Sequence, residues 1–221
     1  MFEAGAQIQS FIRTDIGAFI TLAIVTILFI SVTGFFFKKS NFNTRALIYV
    51  SMTMAIAFVL SYFRLFQMPM GGSVTFMSMF FVSLIGMWFG PAIGIIGGVS
   101  YGLLQLAQNP QVIHPMQLFL DYPLAFGMLG LSGFFYKVKF GVYIGFLVGA
   151  TGRWFMHTLA GYFFWTQMWP PEGWDNVFLF SVVYNAGYIY AEVALTLVIV
   201  LIPAVSHGLE KVKNIAVNYA T

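Results

Sequence analysis

Apolar residues run along this chain in long blocks, separated by short clusters of charge, glycine and proline. Seven blocks, at about 15–37, 45–66, 74–89, 91–107, 116–136, 140–163 and 177–203, approach or exceed the roughly 20 residues that carry a helix across a hydrocarbon core. They lack the alternating segments of about ten residues that build an outer-membrane barrel. The pattern predicts an all-α integral membrane protein made of one compact helical bundle. Composition points the same way. With 60% of the 221 residues hydrophobic, 8% charged and a mean hydropathy of +0.86, a water-soluble domain would lack the polar surface to cover itself. There is no cysteine, which removes disulfides, thiol catalysis and thiolate metal sites.

Charge sets an orientation. Lys38, Lys39 and Arg45 fall in one connection between blocks, Lys137 and Lys139 in another, and Lys211 and Lys213 on the C-terminal tail. All three lie on one side of the membrane. The other side receives Arg13 and Arg64 as cations, with Glu3, Asp15, Glu172 and Asp175. The positive-inside bias then puts the N-terminus outside and the C-terminus in the cytoplasm. Basic residues need no nucleic-acid partner to explain them. The first block has its lysines after the apolar run and no convincing cleavage site, so it is expected to stay as a helix rather than leave as a signal peptide.

Two small-residue patterns concern packing. Gly86, Gly90, Gly94, Gly98 and Gly102 recur every fourth residue, lining one helix face for close backbone approach. Pro91 is expected to open a new helix after a tight turn. Ser51 and Ala55 form a small-xxx-small pair that suits either internal packing or a partner helix.

Candidate chemistry lies in polar groups inside the blocks. Asp121 sits within the fifth, where a charge near the bilayer centre costs roughly 2.5–3.5 kcal/mol on insertion scales and so faces the bundle interior. It marks a site or a structural carboxylate, and Gln117 is one turn earlier on the same face. Arg153, His157, Gly161 and Trp165 form a stripe at intervals of four in the sixth block. Asn185, Tyr188 and Glu192 share a face of the last. Glu192 needs a partner, and Arg153 is the cation at similar depth, so the two are expected to form a structural ion pair. Trp165, Trp169 and Trp174 stand near the outer surface as membrane anchors or as a pocket rim. Together an acid, an imidazole, a carboxamide and an indole converge on the outer half of the bundle. Such a pocket suits a small, flat, cationic heteroaromatic solute, since cation–π attraction reaches about 2 kcal/mol when desolvated.

At these residues a resemblance becomes specific. "FNTRALIYVSMTMAIAFVLS", "QLFLDYPLAFGMLGLSGFF" and above all "GRWFMHTLAGYFFWTQMWPPEGWDNVFLFSVVYNAG" resemble the S components of the energy-coupling factor (ECF) vitamin transporters, most closely their thiamine-specific branch, over roughly residues 41 to 205. The resemblance implies a six-helix substrate-binding domain at 41–221, preceded at 1–40 by a segment holding one extra helix, in a bacterial plasma membrane. It implies a thiamine site lined by Asp121, Tyr122, His157, Trp165 and Asn185, with Gln117, Phe180 and Tyr188 as further candidates. The segment "QMPMGGSVT" would be a lid. Ser51 and Ala55 would meet a transmembrane coupling subunit, EcfT, whose two ATPase subunits drive a toppling of the S component. This chain has no phosphate-cradling G-x-x-x-x-G-K-[ST] of its own.

Four positions depart from the family pattern. Asp121 stands where glutamate is usual, Phe180 where tyrosine is usual and Ser51 where alanine is usual, and the first helix is additional. The first two leave room for a related ligand such as hydroxymethylpyrimidine or pyridoxine. An intramembrane enzyme is the reading of a different class. Against it, the three histidines are dispersed and unsupported by thiols, and no serine carries an evident base and acid, so no metal, cofactor or catalytic residue is expected.

Overall fold

The computed structural model describes residues 15–37 and 43–218. Glu3, Arg13, Lys38 and Lys39, which entered the charge reading, lie outside them. Helix α1 spans Asp15–Phe37 and α2 spans Thr44–Ser61. A hairpin follows, with β1 at Arg64–Gln67 paired antiparallel to β2 at Ser73–Thr75 across a 3-10 turn at Pro69–Gly71. The chain continues as α3 (Ser78–Phe89), α4 (Pro91–Gln108), α5 (Pro115–Phe135), α6 (Gly141–Ala160), α7 (Val177–Val200) and α8 (Pro203–Asn218). A π-helical turn at Gly161–Trp165 carries α6 into a last short turn at Thr166–Met168.

The hairpin departs from the purely helical expectation, and α8 from the reading of the last residues as a tail. Helix α2 stops at Ser61 rather than near residue 66, because Ser61 donates to the Phe58 carbonyl and accepts from Gln105 Nε2 on α4. The apolar residues beyond it, Tyr62, Phe63, Leu65 and Phe66, are exposed on the hairpin and its approach. Met70 and Gly71 make the reversal with φ of 66° and 94°, the left-handed region that closes tight turns. Helix α8, read from sequence as a tail, packs Ala216 into the core, with Leu209 and Val217 half-buried against it.

Helices α5 and α7, at 21 and 24 residues, are long and apolar enough to cross a membrane. Exposed isoleucines run the length of α1 (Ile16, Ile20, Ile24, Ile27, Ile30), and Ile48, Met52, Ile56 and Val59 are exposed along α2. An apolar surface this extensive belongs against lipid. Glycines set the closest approach: a Cβ on Gly98 would lie 2.3 Å from the Phe126 carbonyl oxygen, and one on Gly102 would lie 2.5 Å from that of Tyr122. The α4 backbone therefore packs directly on the backbone of α5 beside Asp121.

Helix α3 is the central element, buried along nearly its whole length, with Phe80 edge-on to Phe146 of α6 at 5.3 Å. Its 12 residues reach only about 18 Å at the usual helical rise, well short of a 30 Å hydrocarbon core. The missing length is what makes room for a cavity, with the α3 N-terminus on its wall and the hairpin at its mouth.

Candidate functional site

A cavity of about 1020 Å³, counted out to its open mouth, lies between α2, α4, α5, α6, α7 and the hairpin. Two helices are distorted where they reach it. In α5 the turn Leu120–Leu124 is π-helical. Pro123 lacks the N–H that would continue the regular ladder, and a widened turn absorbs the missing bond. This turn carries Asp121 and Tyr122 on the cavity wall. The second π turn, Gly161–Trp165, brings Trp165 to the same wall.

Asp121 is the hub. Its Oδ2 accepts from Gln117 Nε2 at 2.6 Å and from Trp165 Nε1 at 2.8 Å, and its Oδ1 lies 2.9 Å from His157 Nδ1. Arg153 Nε donates to His157 Nε2 at 3.2 Å. A guanidinium can only donate, so Nε2 is the acceptor and Nδ1 carries the proton given to Asp121. His157 is held as the neutral tautomer, and the Asp121 carboxyl oxygens accept from three neutral donors. The Trp165 ring is fixed by its own N–H bond and stacks on Trp169 at 5.3 Å.

Tyr122 and Gln117 tie the loop between α4 and α5 to this hub. The Tyr122 hydroxyl accepts from Gln111 N and donates to the Asn109 carbonyl, each at 2.9 Å. Tyr122 therefore offers the cavity its ring rather than its hydroxyl. Gln117 donates to the Gln111 carbonyl and accepts from Ile113 N, both at 3.1 Å. It is fully buried behind Asp121 and absent from the cavity lining, which corrects the expectation that it faces a ligand.

On the opposite wall, Asn185 Nδ2 donates to the Ser181 carbonyl at 2.8 Å and Asn185 Oδ1 accepts from Tyr188 at 2.9 Å. Tyr188 meets His157 edge-on at 6.1 Å. A Cβ on Gly161 would lie 2.2 Å from Ser181 Oγ, so this glycine permits α6 and α7 to close. Phe180 lines the cavity between Trp174 and Tyr184, at 5.6 and 5.8 Å.

The expected Arg153–Glu192 ion pair does not form. Both residues line the cavity, but Glu192 Oε2 accepts from Thr75 N at 2.8 Å and Thr75 Oγ1 at 2.7 Å, and Oε1 accepts from Met79 N at 3.1 Å. Helix α3 has no side-chain cap of its own and begins after Met77 in a left-handed conformation. Its orphan N–H groups and positive end satisfy the buried carboxylate directly. Arg153 instead lies over the Phe126 ring at 4.2 Å. Ser51 and Ala55 are exposed on α2, away from the cavity.

Sequence reasoning missed Tyr184, Ser61, Gln105 and Arg64, all on the cavity wall, while Gly71–Ser73 belong to the segment read as a lid. Tyr184 had a legible signal, because it continues the four-residue spacing of Phe180, Tyr188 and Glu192 on α7.

Long apolar helices enclosing a pocket of aromatic rings and two buried carboxylates define a membrane protein with a solute-sized cavity. The family described as thiamine transporter protein (Thia_YuaJ) matches residues 47–211. Two relatives bear the name thiamine transporter ThiT. The one from Bacillus subtilis is 34% identical over 55% of this chain and 69% of its own length, and the one from Lacticaseibacillus paracasei is 31% identical over 48% and 59%. A solved structure of ThiT from Listeria monocytogenes superposes with a TM-score of 0.64 at 25% identity, covering 74% of this chain and 96% of that one. The chain belongs to the thiamine transporter protein family.

Proposed function

We propose that this protein is a thiamine-binding S component: it takes up thiamine in the cavity and works with a transmembrane coupling subunit and two ATPase subunits as an importer. The observation that carries the reading is Asp121, a buried carboxyl group whose oxygens accept from Gln117, His157 and Trp165, in a pocket walled by Tyr122, Trp165, Phe180 and Tyr188. A flat monocation answers both features: its rings stack on the walls and its charge faces the acid. Relatives named as transporters favour binding over catalysis.

The hairpin acts as the lid, and the cavity mouth opens outward, with the basic turn at Lys137 and Lys139 in the cytoplasm. Residues 41–221 form the binding domain, and α1 is an added span outside the family match. The exposed Ser51–Ala55 face of α2 receives the coupling subunit.

The test is a titration of detergent-purified protein followed by tryptophan fluorescence. Saturable quenching by thiamine, and none by pyridoxine or hydroxymethylpyrimidine, is the expected result. A response to one of those two alone would keep the S-component role and reassign the ligand, with Asp121 and Phe180 as the residues responsible. Silence toward all three would remove the vitamin reading.

A further inference from the structure

The hairpin is tied to α7 at two points of very different character. At its base, Thr75 gives Glu192 both its backbone N–H and its hydroxyl, and Ser78 Oγ lies 2.6 Å from that hydroxyl. Glu192 is 1% exposed and Thr75 8% exposed, so this junction is shielded from water and shared with the start of α3. At the tip the hydrogen bonds to α7 come from one side chain. The Tyr184 hydroxyl donates to the Pro69 carbonyl and accepts from Gly72 N at 3.2 Å, bridging both ends of the tight turn.

The tip contact is also where the cavity contents would be felt. Tyr184 packs on Phe180 and Tyr188, at 5.8 and 5.9 Å, and all three rings line the cavity. Gly72 sits against the same pair, since a Cβ there would lie 2.7 Å from the Tyr188 ring and 3.0 Å from the Tyr184 hydroxyl. A solute stacked against these rings fixes the Tyr184 rotamer, and that rotamer decides whether the hydroxyl reaches the turn.

We propose that Tyr184 is a positioning residue, a latch that holds the hairpin shut over a bound solute, while Glu192 is the fixed post about which the hairpin swings. The latch rests on the reading of this cavity as a thiamine site only for the identity of the solute. Base and tip then divide the work: the buried carboxylate keeps the hinge folded in every state, and the half-exposed tyrosine exchanges between a latched rotamer, present in the empty protein, and an unlatched one, with a bound solute favouring the latched one. Opening a lid of this kind sets how fast a ligand leaves.

The chain has no cysteine, so Met70→Cys places a single thiol at the tip for maleimide labelling. With no ligand added, Tyr184→Phe in that background should raise the labelling rate several-fold, and Gly72→Ala, which pushes the tip off the same rings, should do likewise. Unchanged labelling in both variants overturns the latch whatever the cavity binds. With thiamine, stopped-flow tryptophan fluorescence should show dissociation from Tyr184→Phe accelerated about five- to a hundred-fold, the range for two ordinary hydrogen bonds, with association unchanged. Equal dissociation rates would overturn the coupling of latch to ligand. Absence of thiamine binding in the parent protein would overturn the ligand reading, and the labelling would still decide the latch.

Discussion

At the scale of single residues, two buried carboxylates share one cavity and have different tasks. Asp121 is surrounded by side-chain donors belonging to the pocket, whereas Glu192 is bound to the backbone of Thr75 and Met79. Asp121→Asn would turn an amide N–H₂ toward groups that only donate and would remove the charge facing a cation. Thiamine affinity should fall about 30- to 1000-fold, which is 2–4 kcal/mol for a charged hydrogen-bond hub. Glu192→Gln keeps one acceptor at the start of α3, so it should lower the unfolding temperature while changing affinity less than the Asp121 substitution does. Titration calorimetry and thermal unfolding on the same two variants separate the roles. Full affinity in Asp121→Asn alongside lost affinity in Glu192→Gln would mean the two assignments are reversed.

At the scale of elements, what the sequence made legible depended on the length of the repeat. The helical character followed from apolar blocks because the longer ones, such as Pro115–Phe135 and Val177–Val200, give hydropathy enough residues to register, and the Arg153, His157, Trp165 stripe followed from a spacing of four. Strands of four and three residues are too short for alternation to show, and apolar Tyr62 to Phe66 read as more helix. The Arg153–Glu192 pairing failed for a different reason. It matched charges by depth alone, and the competing partner was a helix N-terminus, whose positive end is backbone and leaves no mark in composition. The Gly161 spacing shows the converse, a small residue whose role appears only when the neighbouring helix is known. Gly161→Ala would press its Cβ against Ser181 Oγ, which donates to the Thr158 carbonyl. Overpacking of this kind should cost about 1–3 kcal/mol in thermal unfolding, with recovery in the Gly161→Ala, Ser181→Gly double variant. Unchanged stability in the single variant would show that Ser181 simply rotates away.

For the whole molecule, the cavity and the exposed α2 face are separate surfaces on one rigid bundle. Ser61, at the end of α2, lines the cavity, while Ser51 and Ala55 lie further along the same helix on its exposed side, beside Met52, Ile56 and Val59. Small residues on a lipid-facing helix allow another helix to approach closely, and bulky ones prevent it. Enlarging both, as Ser51→Phe with Ala55→Phe, touches no residue that lines the cavity. Thiamine affinity in detergent should therefore stay within about two-fold of the parent, since distant sites act nearly independently. With the coupling subunit docked on α2 as proposed above, thiamine uptake by cells carrying the coupling and ATPase subunits should be lost, because two phenyl rings would block that close approach. Loss of affinity together with uptake would show that the α2 face supports the cavity instead, and normal uptake would place the partner on another face of the bundle.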